Sequence, residues 1–341
     1  MNSGWKKALA GAAIAAGATA AARAFARNRR MIHLDGRVAL ITGGSRGLGL
    51  VTAREFAAHG ARVALCARDA DELERARADL ASRGADVAAF ACDVTDPAQV
   101  DALVADVLGR FGRLDVLVNN AGIIQVGPFE ETTLEDFEEA MLTHFWAPYY
   151  AIAAALPAMR ARGGGRIVNI ASVGGKVAAP HLLPYSASKF ALVGFSEGLR
   201  AELLKDGIYV TTVAPGLMRT GSPARATFKG QNEKEFAWFA IADSLPGLSV
   251  SAEKAARRIV DAARHGDAEA IISLPAEIMA RANGLFPGLF ADVMGVLNQF
   301  VFPAPGGIGR AKREGRDSRS PLAPAWATVL TDRAAARNNE L

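Results

Sequence analysis

Tyr185 and Lys189 stand four residues apart in Tyr185-Ser186-Ala187-Ser188-Lys189, on a predicted helix. That spacing puts both side chains on one helix face, one turn apart. A free phenol has a pKa near about 10, too high for an efficient base at neutral pH. A neighbouring ammonium stabilises the phenolate and lowers that value. The pair is therefore a candidate acid–base couple for moving a proton to or from an oxygen. A second stretch, Thr42-Gly43-Gly44-Ser45-Arg46-Gly47-Leu48-Gly49, follows an apolar run and opens a helical one. Glycines there let the backbone turn tightly and approach a pyrophosphate, which would rest on free N–H groups at the positive helix end. Taken singly, a tyrosine, a lysine or a glycine turn is ordinary surface or turn chemistry. The glycine stretch gains weight from its place after a strand and before a helix, at the start of a βαβ series.

The elements that must position these groups are legible from patterning. Short apolar runs at 37–42, 62–67, 86–91, 114–119, 165–171, 208–214 and 268–274 read as strands, with helical patterns such as 70–83 and 97–111 between them. Such alternation implies right-handed βαβ units and one doubly wound parallel α/β sheet of about seven strands, Rossmann-type, in a single domain. Fully apolar strands such as Val38-Ala39-Leu40-Ile41 are what a sheet covered on both faces requires.

The TGxxxGxG spacing of residues 42–49 resembles the short-chain dehydrogenase/reductase family, and the likeness repeats along about 240 residues. Asp93-Val94 resembles the family's adenine-contacting pair. Asn119-Asn120-Ala121-Gly122 resembles its NNAG motif, which steadies the sheet and lines the cofactor pocket. Ser172, Tyr185 and Lys189 fall at its Ser…Tyr-x-x-x-Lys spacing, and Pro215-Gly216 with Thr220 resembles the segment that holds the nicotinamide carboxamide. The resemblance implies hydride transfer between a nicotinamide and a carbonyl or secondary alcohol. Tyr185 would be the general acid/base, Lys189 would tune it and hold the nicotinamide ribose, and Ser172 would orient the carbonyl oxygen. It also implies dimers or tetramers built through the long helices. A catalytically inactive nucleotide-binding scaffold with the same fold is the rival reading.

The 2′-phosphate of NADP calls for Arg or Lys, whereas NAD is usually met by an acid at the adenine ribose. The second strand ends Cys66-Ala67-Arg68-Asp69. Alanine occupies the place of the NAD-type acid, and Arg68 follows it, with Arg46 inside the glycine loop. NADP(H) is the expected cofactor. NAD(H) would follow if both arginines were ordinary solvated charges and Asp69 met the ribose. One departure from the family stands in Leu142-Thr143-His144-Phe145-Trp146, where His144 takes the place of an asparagine that holds a relay water. An imidazole could carry the proton relay with a pH dependence near neutrality, or could simply be packed.

Composition limits the rest. The chain has 341 residues, half of them hydrophobic and 22% charged, which suits a globular protein and not wholesale disorder. Its two cysteines, Cys66 and Cys92, sit in no metal or disulfide pattern, so no metal is expected and both read as reduced core thiols. Of the net +4, residues 1–30 carry +6 with no acid, leaving −2 on the other 311 residues and no stripe for nucleic acid. Fifteen uncharged residues, ten of them alanine, separate Lys7 from Arg23. As a helix they would span about 22 Å, short of a ~30 Å hydrocarbon core. Three readings compete for this leader (1–34): a membrane-associated helix, a surface alanine helix, and a cleaved signal peptide. The cofactor argument disfavours export and puts the active site on the cytoplasmic side. After a catalytic domain at 35–275 comes an extension at 276–341. In it, Ile278 to Phe300 read as two amphipathic helices, 303–324 as an exposed linker, and 326–337 as a short helix. The helices could wall the substrate pocket, meet a membrane or partner, or pack on the body. The aromatic run Phe236 to Ile241 suits either an apolar substrate or a helix core.

Overall fold

The computed structural model describes residues 17–19 and 21–340. Alternation of strand and helix builds the first half: β1 (Val38–Thr42), α1 (Gly47–Ala58), β2 (Arg62–Ala67), α2 (Ala70–Ser82), β3 (Val87–Ala91), α3 (Pro97–Phe111) and β4 (Val116–Asn119). There follow α4 (Leu134–Met141), which a π-turn (Leu142–Trp146) joins to α5 (Ala147–Ala161), then β5 (Gly165–Ile170), α6 (Leu183–Leu203) and β6 (Ile208–Pro215). The chain continues through α7 (Asn232–Ser244), α8 (Ala252–His265), β7 (Glu269–Ile272), α9 (Leu274–Leu285), α10 (Pro287–Phe300) and α11 (Ala325–Arg337). All seven strands lie where the apolar runs predict them and join one parallel sheet in the order β7-β6-β5-β4-β1-β2-β3.

Period-two alternation gives the sheet two cores. Ala39, Ile41, Val63 and Leu65 pack on one face with Leu50 and Phe56 of α1 and Ile259 of α8. Val38, Leu40, Ala64 and Cys66 pack on the other with Val104 of α3, Met159 of α5 and Leu203 of α6. Cys66 and Cys92 are both buried and free. Local signals set the helix ends. The Asp69 carboxylate accepts from the Glu72 N–H at 2.9 Å, and Asp96 caps α3 ahead of Pro97. Gly112, at φ +71°, ends α3 in the left-handed conformation.

The order reverses between β1 and β4, so their loops diverge and leave a crevice at the carboxyl edge, the usual ligand position in such sheets. The alanine run of the leader falls largely outside the described residues. Residues 21–29 are helical, and Arg27 pairs with Asp261 and with Asp267, the latter at 2.9 Å, so part of the leader's charge is neutralised by the body. Among the described residues no helix is long and apolar enough to cross a membrane.

The stretch 303–324 is not simply an exposed linker. Arg313–Glu314 pairs antiparallel with Thr227–Phe228, which pairs in turn with Gln125–Val126. Ser318 is fully buried because its hydroxyl finds partners, donating to the Glu314 carbonyl and accepting from Asn232 Nδ2, both at 3.0 Å. Helices α9 and α10 form a hairpin with exposed Ile278, Leu285, Phe286, Leu289 and Phe300. Its other side closes a cavity of about 720 Å³ against the loop 177–183. The aromatic run of α7 is core: Phe236 and Phe239 are buried edge-on against Phe228, with centroids 5.6 and 6.0 Å from it. Phe228→Ala should cost about 3–5 kcal/mol; urea unfolding with a loss under 1 kcal/mol would contradict that packing.

Candidate active site

The crevice begins at a clamp between β1 and β4. Thr42 Oγ1 accepts from the N–H groups of Asn120 and Ala121 at 3.0 and 3.1 Å, and Asn120 Nδ2 donates back to the carbonyls of Thr42 and Gly43. Gly43 needs its freedom, with φ at +63°. A Cβ on Gly49 would strike the Gly43 carbonyl and come within 2.6 Å of Asn120 Nδ2. Leu48 is buried at the start of α1, and a Cβ on Gly122 would press on His144, 3.1 Å from its Nε2. The loop is thereby held tight against the first turn of α1, a helix N-terminus of the kind that meets an anion.

On the adenine side the two predicted arginines part company. Arg46 Nη1 bonds both oxygens of Glu72, at 3.0 and 3.1 Å. Arg225 Nη2 bonds the same carboxylate at 2.9 Å, and Ser45 Oγ lies 3.4 Å from it. Arg68 is 70% exposed, 4.0 Å from Asp93. Asp93 itself holds a turn by accepting from the N–H and hydroxyl of Thr95, and Val94 is buried beside it. The Asp69 carboxylate is engaged as the cap of α2. Against the glycine loop lies a segment that no motif announces. The Gly47 N–H donates to the Asn338 carbonyl at 2.8 Å, and Asn339 Nδ2 donates to the carbonyls of Ser45 and Glu72 at 2.9 and 3.0 Å.

At the other end of the crevice, Ser172 follows β5, and its hydroxyl accepts from the Gly174 N–H at 3.0 Å. The Tyr185 ring lies against Gly174, where a Cβ would be 3.1 Å from Cε1. Lys189 Nζ donates to the Ile170 carbonyl at 2.8 Å and sits 5.7 Å from the centre of the Tyr185 ring. Sequence spacing therefore does bring Ser172, Tyr185 and Lys189 together. Burial raises the Tyr185 pKa, against a downward pull from the Ser172 hydroxyl. Burial pushes Lys189 down to about 7. At neutral pH the phenol is protonated and the lysine carries only part of its charge. Asp243 of α7, which the sequence analysis missed, is buried, pushed up to about 8 by desolvation, and adds to the upward shift of Tyr185. An isolated acid in an apolar helix pattern carried no signal of that influence. Beyond β6, the Gly216 N–H donates to the Ile272 carbonyl at 3.0 Å, and a Cβ there would be 2.7 Å from Ser273 Oγ. Thr220 is buried and bonds the Ser222 hydroxyl at 2.9 Å, while Pro215 ends the strand.

His144 lies in the π-turn, 1% exposed. Its Nε2 accepts from the Ile123 N–H at 3.1 Å, which assigns the proton to Nδ1. That nitrogen donates to Ser188 Oγ at 2.8 Å, and the Ser188 hydroxyl donates to the Tyr185 carbonyl at 2.9 Å. Burial, and then Lys189, hold the ring well below the usual imidazole pKa. Both nitrogens are thus engaged, neither is bonded to Lys189, and the ring stands edge-on to the Tyr185 ring with centroids 5.4 Å apart.

The family model for short chain dehydrogenase matches residues 37–229. D-threitol dehydrogenase of Mycolicibacterium smegmatis is 38% identical over 188 residues, covering 55% of this chain and 72% of that protein. Dehydrogenase/reductase SDR family member 7B of Mus musculus is 32% identical over 277 residues, covering 80% and 84%. Among solved structures, L-sorbose reductase of Gluconobacter frateurii, in complex with NADPH and L-sorbose, superposes with a TM-score of 0.64 at 32% identity, covering 70% of this chain and 96% of that one. His144→Leu should lower stability by about 2–4 kcal/mol, since the Ile123 N–H and Ser188 hydroxyl each lose a buried partner, while leaving the pH–rate profile between 6 and 8 unchanged in shape. An inflection lost in the variant would identify a relay instead.

Proposed function

The chain belongs to the short-chain dehydrogenase family, and from that premise we propose that it is an NADP(H)-dependent carbonyl reductase. The observation that carries the reading is the convergence of Ser172, Tyr185 and Lys189 at the carboxyl edge of the sheet, beside the crevice that the glycine loop opens. The cradle fits a dinucleotide, since Gly43 and Gly49 leave no room for side chains and the first turn of α1 faces the crevice. The glycine-loop amides would hold the pyrophosphate, Arg68 with Arg46 the 2′-phosphate, and Lys189 the nicotinamide ribose. Pro215, Gly216 and Thr220 would hold the carboxamide. NADPH, when bound, supplies the hydride. Ser172 orients the carbonyl oxygen, Tyr185 gives that oxygen its proton, and Lys189 stabilises the phenolate left behind. The raised pKa keeps the proton on Tyr185 at neutral pH, and the lowering expected from Lys189 has to come from charge gained in the occupied site.

A lipophilic substrate is supported by the cavity under α10, lined by Phe129, Leu183, Phe190, Phe290, Met294 and Phe302. Its wall, the loop 177–183, leads directly from Ser172 to the helix that bears Tyr185. The polyol and ketose activities named for two similar proteins favour a polar substrate instead. A panel of aliphatic, steroid-like, acyl and sugar ketones, run with NADPH and NADH in parallel, separates the two. It also separates either from an inactive scaffold, which would oxidise neither cofactor.

Tyr185→Phe is expected to lower kcat by about 10²–10⁴-fold while NADPH affinity, read by fluorescence titration, is retained; full activity would refute the acid/base role. Arg68→Asp combined with Arg46→Ala should shift preference toward NADH in kcat/KM. An unchanged ratio would refute the cofactor assignment.

A further inference from the structure

The end of α11 runs directly onto the glycine loop. Asn338 presents its carbonyl to the Gly47 N–H at 2.8 Å, an amide at the start of α1 that a bound anion would otherwise take. Asn339, at φ +59°, turns the chain so that its side chain fastens to the Ser45 and Glu72 carbonyls. Its Oδ1 accepts from Arg75 Nε at 2.9 Å. Glu340 then places a carboxylate oxygen where a Cβ of Gly47 would stand, leaving Oε2 3.4 Å from Arg46 Nε. Its backbone carbonyl accepts from Arg225 Nε at 3.1 Å. A carboxylate at a glycine-rich helix N-terminus, flanked by two guanidinium groups, has the chemistry of a bound phosphate.

We propose that Asn338–Glu340 is an intramolecular occupant of the pyrophosphate cradle, so that a dinucleotide binds by displacing it, its pyrophosphate taking over the Gly47 amide and Arg225 Nε and its 2′-phosphate meeting Arg46. This rests on the dinucleotide reading above. The occupant is built to leave. Glu340 Oε2 is buried without a hydrogen-bond partner, and burial pushes the carboxyl up to about 7 against the pull of Arg46 and Arg225. A group that loses its hydration and recovers only part of it through partners is held weakly. A pyrophosphate brings more charge and more acceptor oxygens to the same donors. Displacement also releases Arg225 Nε from the Glu340 carbonyl, while its Nη2 stays on Glu72, which holds the guanidinium beside the loop. Since the binding-competent state is only the fraction with the segment released, its presence weakens apparent affinity by that fraction.

The test compares NADPH dissociation constants, by titration calorimetry, of the full chain, a chain lacking residues 338–341, and Glu340→Ala. Deletion should tighten binding about tenfold and Glu340→Ala about threefold, as the closed fraction falls. If the deleted chain does not fold, Glu340→Ala carries the measurement. In the full chain, NADPH should speed hydrogen exchange at the Asn338 and Glu340 amides. Affinity unchanged or weaker in the variants, or slower exchange at those amides with NADPH, overturns the proposal while leaving the dinucleotide reading intact. No NADPH binding to any form overturns that reading and this proposal with it.

Discussion

The clamp between Thr42 and Asn120 is the contact on which the rest of the site depends. It ties the ends of β1 and β4 together at the one place where the strand order reverses. Through it the glycine loop, the first turn of α1 and the NNAG segment become one rigid wall of the crevice. The neighbouring asparagine works in the other direction: Asn119 Nδ2 bonds Asn169 Oδ1, and Asn169 Nδ2 bonds Ser196 Oγ, both at 2.8 Å. A single line of buried amides thus links the phosphate loop to β5, which ends near Ser172, and to α6, which carries Tyr185 and Lys189. Buried polar chains of this kind tolerate little displacement, because each unpaired group would bear its full desolvation cost.

Desolvation also sets the charge state of the site. The same burial raises Tyr185 and Asp243 and lowers Lys189 and His144. These groups therefore lean toward neutrality, and the Tyr185 phenol keeps its proton at neutral pH. His144, buried with both ring nitrogens bonded, connects through the Ser188 hydroxyl to the Tyr185 carbonyl.

The extensions that flank the sheet are tied into the domain. Arg27 of the leader meets Asp261 and Asp267, Arg313–Glu314 completes a small sheet with Thr227–Phe228, and the residues after α11 reach the glycine loop. Sequence separation hid all three. Arg27 read as one charge in a basic run, and 303–324 read as polar linker because Ser, Gly, Pro and Arg give no sign of which hydroxyl will find a buried partner. Glu72 and Arg225, 153 residues apart, belong to no motif, and only their meeting at 2.9 Å puts them beside the glycine loop.

The sequence by itself determined the seven strands, the doubly wound order of events along the chain, the glycine loop, and the grouping of Ser172, Tyr185 and Lys189. Most of this is written in local spacing: short apolar runs, glycines between a strand and a helix, and a four-residue step on a helix, with Ser172 joined to the pair by the family resemblance. The tertiary structure decided what depends on contacts between distant residues. It settled that the α7 aromatics are core, that Arg46 is held by Glu72 while the exposed Arg68 reaches only Asp93, that both nitrogens of His144 are already engaged, and that Asn338–Glu340 lies against the glycine loop. The physical reason is that hydrogen-bond satisfaction and desolvation belong to the environment of a group, and that environment exists only once segments remote in sequence have been packed together.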